Sequence, residues 1–316
     1  MLMEKGCILI ITITLNPAID KTIKIDKLVS GGMHRINEIE FDIGGKGINV
    51  SRCIKALGGE SVALGIIGGS TGDYIETELD KDGIGHDFIR VSDESRTNTK
   101  VVDNDGRVTE LNEAGPIIED KYQEIILQKI EEYADENSIF VLAGSMPRGI
   151  DSKIYGEMIK VIKRSKGRVI LDAEGMAFFE GIKEVPDVIK PNKLEMTLLQ
   201  KAMGFDEDNE FVTIECVNTL INSGIKVVAV SLGEEGACFY NNKGESLYRK
   251  ALEVEAKSTV GAGDAMVAAI AFSMENGNEF TQMVDLAMAV SAASVTLSGT
   301  KPPSKELVED MLIKEV

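Results

Sequence analysis

Six short, nearly continuous apolar runs recur along this 316-residue chain, with amphipathic stretches between them. They are Ile8–Leu15, Val62–Ile67, Ile139–Ala143, Val169–Asp172, Val188–Lys190 and Val227–Leu232. A strand that is apolar on both faces has to be covered on both faces. Strands of this kind alternating with helices therefore predict an α/β fold, a mostly parallel sheet between two helical layers. Helical spacing is plain in Val50/Cys53/Ile54/Leu57, which stops at Gly58-Gly59. It recurs in Tyr122/Ile125/Ile126/Lys129/Ile130/Tyr133, where Lys129 is the one polar member. No internal repeat, low-complexity tract or Pro-rich linker breaks the pattern, so one main domain over residues 1–316 is expected.

Two insertions depart from it, at about 22–43 and 97–112. Each alternates apolar and polar residues about a turn, Ser30-Gly31-Gly32 in the first and Asn104-Asp105-Gly106 in the second. Neither is followed by a helix able to cover it. A small separate sheet is expected, serving as a lid over the α/β site, as a dimer surface, or as both.

Charge and composition exclude several classes of function. The net charge of −18, from 34 basic and 52 acidic residues, argues against nucleic acid or an anionic membrane as partner. No apolar run approaches the ~20 residues that cross a bilayer. Cys7–Leu15 follows the acidic Glu4 and reads as a buried first strand, not a signal peptide. Cys7, Cys53, Cys216 and Cys238 lie far apart with no C-x-x-C pair, as expected of reduced thiols in a cytoplasmic protein. His34 and His86 are the only histidines, which disfavours His-based triads and multi-His metal sites; both are expected at the surface.

The chemistry gathers at Val260-Gly261-Ala262-Gly263-Asp264. The apolar run Ala265–Phe272 reads as a buried helix, and Gly261-Ala262-Gly263 as the turn that opens it. Unpaired N–H groups and partial positive charge at a helix start attract anions such as phosphate. Asp264 would repel a phosphate, so its sensible role is as a base toward an attacking hydroxyl. An anion cradle beside a base is the minimum equipment for phosphoryl transfer to an alcohol. An Asp in the first turn of an ordinary helix is the structural alternative.

Other candidates sit just past predicted strands, where open α/β sheets gather ligands. Asp20 is placed to bind sugar hydroxyls. In Gly44-Gly45-Lys46-Gly47-Ile48-Asn49 the glycines let backbone approach a ligand, Lys46 brings positive charge, and Asn49 can bond a hydroxyl. Arg96, Asn98 and Lys100 share one face of a strand and form a plausible phosphate anchor. Ser145 follows Ala143-Gly144. Asn192 and Glu195, in Lys190-Pro191-Asn192-Lys193-Leu194-Glu195, can hold a metal-bound water or a phosphate-bound Mg²⁺, and equally form an N-cap with a capping box. Ser231-Leu232-Gly233-Glu234-Glu235-Gly236 is a turn able to admit a nucleotide. Both the Walker A pattern and G-x-G-x-x-G are absent, which disfavours a nicotinamide-dependent oxidoreductase; a non-catalytic sugar-phosphate sensor is disfavoured by the intact G-A-G-D.

Taken in order, G-G-K-G-I-N, K-P-N-x-x-E, S-L-G-x-x-G and S-T-V-G-A-G-D resemble the sugar kinases of the PfkB (ribokinase-like) family, over essentially the whole chain. The resemblance implies a three-layer α/β/α sandwich with a mostly parallel central sheet and a small β-sheet lid. It implies Asp264 as general base, with Gly261, Ala262 and Gly263 as the anion hole. Nucleotide contacts would come from Lys190, Asn192, Ser231, Gly233, Gly236 and the Ser258-Thr259-Val260 run, and a Mg²⁺-water contact from Glu195. Sugar binding would fall to Asp20, Gly44, Gly45, Asn49 and Ser145, and the lid pairs subunits in relatives. T-L-N-P-A-I-D, Lys46 and G-S-M-P resemble the phosphosugar branch. Arg96-x-Asn98-x-Lys100 and Thr109-Glu110-Leu111-Asn112 look most like 1-phosphofructokinases, with tagatose-6-phosphate kinases close by. Arg35 matches a phosphate-binding position of that branch. Met33 stands where some 6-phosphofructokinase relatives have Lys, which speaks against fructose 6-phosphate as acceptor. ATP, Mg²⁺ and a phosphosugar are the implied ligands, fructose 1-phosphate first, and a homodimer through the lid the implied assembly. Activation by K⁺ near Ser258–Val260 and Ser294–Gly299 is left open.

Overall fold

The computed structural model describes residues 8–205 and 210–315; Cys7 and Glu4 lie outside the described residues. The first strands are β1 (Leu9–Thr14), β2 (Ala18–Ile25), β3 (Glu38–Gly44), β4 (Ser61–Gly68), β5 (Gly85–His86), β6 (Ile89–Val91), β7 (Arg96–Asp103) and β8 (Val108–Asn112). They continue with β9 (Ser138–Gly144), β10 (Arg168–Ala173), β11 (Val188–Ile189), β12 (Val227–Ser231), β13 (Ala237–Asn241) and β14 (Ser246–Arg249). Helices α1 (Lys46–Ala56), α2 (Gly69–Lys81), α3 (Lys121–Tyr133), α4 (Ile154–Arg164) and α5 (Gly175–Ile182) alternate with them. The rest are α6 (Lys193–Ala202), α7 (Glu210–Asn222), α8 (Ala262–Asn276), α9 (Phe280–Val295) and α10 (Lys305–Glu315).

The large sheet runs β14-β13-β12-β11-β10-β9-β1-β4-β5, with β6 also on β4. From β12 across to β4 the pairing is parallel; β13 and β14 close one edge antiparallel, a hairpin that apolar periodicity had not marked. Successive side chains in a strand point to opposite faces, and each central strand feeds two cores. Ile11, Ile13, Phe140, Leu142, Val169 and Leu171 pack with α3 to α7, while Ile10, Ile139, Val141 and Ile170 pack with α1, α8, α9 and α10. That double burial is why the strands read as unbroken apolar runs. Helix α8 is apolar all round because Asp264 through Ala271 are all buried between the sheet and α9. No helix among the described residues is long and apolar enough to cross a membrane.

The small sheet has the order β3-β2-β7-β8. Its two outer pairings are antiparallel, as the two turns predict, and the two halves are joined by a parallel pairing of β2 with β7. The registers Ala18↔Arg96, Asp20↔Asn98 and Thr22↔Lys100 put Asp20, Arg96, Asn98 and Lys100 on one face. The opposite face carries Ile23, Ile39, Phe41, Val101 and Leu111, of which Phe41 and Leu111 are more than half exposed. The polar face looks toward the carboxyl ends of the large sheet, where the cavity lies.

Candidate active site

Helix α8 begins one residue after a left-handed glycine. Gly261 is the N-cap at φ 87°, a backbone region that L side chains rarely enter. The expected opening turn is thus shorter than the sequence suggested, and Ala262, Gly263 and Asp264 already form the first helical turn. No side chain caps this end, which leaves the N–H donors of Gly263 and Asp264, both at the cavity, for an anion. Lys190 reaches the same point: its Nζ lies 3.2 Å from where a Cβ on residue 263 would stand. Glycine at 263 is what lets an ammonium sit directly on the helix start.

Around this point lies a cavity of about 370 Å³ at the carboxyl ends of β1, β9, β10, β11 and β12. Asp20, Gly45, Lys46, Asn49, Arg96, Asn98, Ser145, Lys190, Asn192, Ser231, Val260, Gly261, Gly263 and Asp264 all line it. Gly45, at φ 116°, turns the chain from β3 into α1 and brings Lys46 and Asn49 inward; a Cβ there would meet Thr14 Cγ2 at 2.6 Å. Asn49 Nδ2 donates to Asp264 Oδ2 at 2.8 Å, and Asn98 Nδ2 donates to Asp20 Oδ1 at 3.0 Å. Tyr155 Oη donates to the carbonyls of Ala143 and Gly144, fixing the loop that carries Ser145.

The cavity wall is short of donors. Buried side-chain atoms without a hydrogen-bond partner among the described residues include Thr14 Oγ1, Asn16 Oδ1, Asn49 Oδ1, Asn98 Oδ1, Asp172 Oδ1 and Thr300 Oγ1, and all six residues line this cavity. The three amide orientations are fixed by what their nitrogens donate to: Ala114 O for Asn16, Asp264 for Asn49 and Asp20 for Asn98. A ring of buried acceptors suits a ligand rich in hydroxyl groups.

Its charges are held in balance. Burial raises the Asp264 carboxyl to a pKa of about 7, helped by the like charge of Asp172 and opposed by the Asn49 bond, Lys46 and Lys190. For Lys46, burial pulls downward, but the carboxylates of Asp172, Glu174 and Asp264 outweigh it and raise the ammonium well above its ordinary value. Its Nζ is 3.1 Å from Glu174 and 3.7 Å from Asp172. Arg96 is lowered by burial, yet its Nε still donates to Asn16 O at 3.1 Å.

Other candidates stand outside the cavity wall. Lys100 is on the same lid face, with Nζ 3.8 Å from Asp20 Oδ2. Gly44 packs against Asp20, whose Oδ2 lies 2.9 Å from a Cβ built there. Arg35 is exposed in the link between β2 and β3 and is not among the residues that line the cavity. Ala262 is the first residue of α8, and its N–H points back to Thr259 O. Ser258 and Thr259 form the preceding turn, where Ser258 Oγ accepts from Val260 N at 3.2 Å. Gly233 opens toward empty space, whereas Gly236 is pressed against Arg249 O, which marks it as a packing glycine of the β12–β13 turn. Asn192 caps α6 in a full capping box: Asn192 Oδ1 accepts from Glu195 N and Glu195 Oε2 accepts from Asn192 N. Thr14, Asn16, Gly144, Asp172, Glu174 and Thr300 line the cavity without having been candidate site residues, although Thr14 and Asn16 lie in T-L-N-P-A-I-D and Gly144 in G-S-M-P.

The model of the pfkB family of carbohydrate kinases matches residues 10–307. The chain belongs to this family. It is 34% identical over 286 residues to the 1-phosphofructokinase of Borreliella burgdorferi, covering 90% of this chain and 91% of that protein. It is 31% identical over 267 residues to a tagatose-6-phosphate kinase of Staphylococcus epidermidis, covering 83% and 84%. Among solved structures, Escherichia coli phosphofructokinase-2 in complex with potassium superposes with a TM-score of 0.90 at 26% identity, over 97% of this chain and 98% of that one.

Carbohydrate kinases of this family use ATP with a divalent cation. Among the described residues there is no cluster of three or more His, Cys, Asp or Glu side chains that could cage a metal ion, and one oxygen of Glu195 is committed to its helix cap. These residues fit a cation that arrives on phosphate oxygens and meets the protein through water.

Proposed function

We propose that this pfkB-family kinase transfers the γ-phosphoryl group of ATP to a ketohexose phosphate, converting fructose 1-phosphate to fructose 1,6-bisphosphate. One observation carries the reading: a buried carboxylate with its pKa near 7 stands at an uncapped helix start, in a cavity ringed by open acceptors and three cationic side chains. The acceptors suit sugar hydroxyls. Lys46 and Lys190 suit the phosphoryl in transit, and Arg96, backed by Lys100, suits the phosphate already on the sugar.

Asp264 takes the proton from O6 of the sugar as that oxygen attacks the γ-phosphorus; the bond to the bridging β,γ-oxygen breaks and ADP leaves. Asn49 aims the carboxylate through its 2.8 Å bond. The N–H groups at the start of α8, with the Lys190 and Lys46 ammoniums, stabilise charge on the migrating group. Glu195 would help to hold Mg²⁺, which when bound would supply charge neutralisation for the phosphates. Ser231, Gly233 and the Ser258–Val260 turn border the space for the nucleotide. Lys257 N and Ser258 N both donate to Val295 O, so the two segments proposed for K⁺ are neighbours.

In this reading residues 1–316 are one kinase domain and segments 22–43 and 97–112 are its lid. Lid closure excludes water, which would otherwise compete for ATP. The exposed apolar face with Phe41 and Leu111 pairs with a second copy of the chain, which light scattering in solution tests. A coupled ADP-release assay over fructose 1-phosphate, tagatose 6-phosphate, fructose 6-phosphate and free fructose tests the substrate. The highest kcat/KM is expected for fructose 1-phosphate. Preference for tagatose 6-phosphate would move the chain to that branch, and ADP release that no phosphosugar stimulates would end the proposal.

A further inference from the structure

Asp172 is the most enclosed charged side chain of the cavity. It is the penultimate residue of β10, between β9 and β11, with its side chain 2% exposed. Desolvating a carboxylate this completely is costly unless cations and hydrogen bonds compensate it. The compensation comes from two ammonium groups: Lys190 Nζ lies 3.2 Å from Oδ1 and Lys46 Nζ 3.7 Å from it. Neither makes a directed hydrogen bond to Oδ1, which stays an open acceptor on the cavity wall. The contacts that balance this carboxylate therefore lead into the reaction centre, not into the packing of the sheet.

We propose that Asp172 is a positioning residue for phosphoryl transfer: its carboxylate holds the Lys190 ammonium against the start of α8 and draws Lys46 toward the same point. Two cations then flank the path of the phosphoryl group before either substrate arrives, which spares the reaction the cost of gathering them. Lys190 pairs with Asp172 and lies close to the bare Gly263 backbone. Lys46 is shared between Asp172 and the half-exposed Glu174 at the rim, so it has a second resting place that Lys190 lacks. This inference rests on the kinase reading above and deepens it.

A carboxylate that merely neutralised two lysines would leave the base alone; this one does not. The groups facing Asp264 are Asn49, Lys46 and Cys53 from α1, Asp172 from β10 and Lys190 after β11. Asp172 is the one among them that carries like charge, and it favours the protonated form of Asp264. Removing its charge while keeping its shape therefore lowers the proton affinity of Asp264, and it also unpins the two ammoniums.

The test is Asp172→Asn in the full chain, read in two ways. Carbon-13 NMR of aspartate carboxyls, with Asp264 assigned by its loss in Asp264→Asn, follows the base in the resting protein and needs no turnover. The Asp264 midpoint is expected to fall by about one pH unit or more. In the ADP-release assay, kcat is expected to fall about 10–100-fold with a much smaller change in KM for the phosphosugar. An unmoved midpoint, or wild-type kcat in a folded Asp172→Asn protein, overturns the proposal. Should that variant fail to fold, Lys190→Met takes its place: loss of the pinned cation is expected to raise the Asp264 midpoint, and a midpoint that stays put overturns the proposal equally. Wild-type protein that phosphorylates no sugar refutes the kinase reading, whereas the titration still reports on the charge coupling.

Discussion

Asp264→Asn is expected to make the protein more stable at neutral pH while removing its base. The side chain is 6% exposed, and burial, with the like charge of Asp172, raises its pKa from 3.8 to about 7. The unfolded chain keeps the lower value. Between about pH 4 and pH 7 the folded protein thus retains a proton that the unfolded chain has released. Stability from this group is present below the unfolded pKa and is lost as pH rises, at about 1.4 kcal/mol per unit, toward a ceiling of about 4 kcal/mol above pH 7. An amide has no charge to desolvate and escapes that cost. The Asn49 bond and the attraction of Lys46 and Lys190 are already contained in the pKa of about 7, so the net gain above pH 7 is that same ceiling of about 4 kcal/mol. Urea unfolding of both proteins at several pH values measures this, provided the m-values agree. The variant's advantage should be near zero at about pH 4 and fully developed by about pH 8. A gap that does not depend on pH, or a wild type that is the more stable at high pH, would mean that the folded protein carries no raised Asp264 carboxyl.

Asn49→Leu removes the bond that favours charged Asp264, so the acid limb of kcat/KM should move to higher pH; an unmoved limb would free Asn49 of that role. Gly263→Ala puts a methyl group 3.2 Å from Lys190 Nζ in an ordinary helical backbone, so kcat should drop about tenfold while thermal unfolding shows no loss of stability. Arg96→Gln and Lys100→Gln should raise KM for the phosphosugar far more than KM for ATP, and equal effects on both substrates would count against the anchor. Glu195→Gln keeps a residue able to complete the capping box, so stability should hold while the Mg²⁺ concentration for half-maximal rate increases.

Much of this architecture was legible because its physics is local. The doubly buried strands announce themselves as apolar runs, and α8 as a helix apolar all round. The Asn192–Glu195 cap follows from a three-residue spacing, and the shared face of Arg96, Asn98 and Lys100 from strand alternation. What stayed hidden depends on pairings distant in sequence. The parallel β2–β7 junction joins segments about 80 residues apart, and neither hairpin pattern contains it. Asp172 reads as the polar end of an apolar strand; it matters because the neighbouring β11 and the start of α1 bring Lys190 and Lys46 to its side chain. Thr300 comes to the cavity from the loop before α10, where nothing in the local pattern marks it. Arg35 shows the opposite case: a residue type and motif position that suggest phosphate binding, on an exposed link that does not line the cavity.

The most direct test compares wild type and Asp264→Asn in ADP release with fructose 1-phosphate at about pH 8, where the base is charged. With Asp264 as the base, kcat falls about 10²–10⁴-fold in a folded variant that still binds both substrates. Undiminished kcat in that variant would contradict that role.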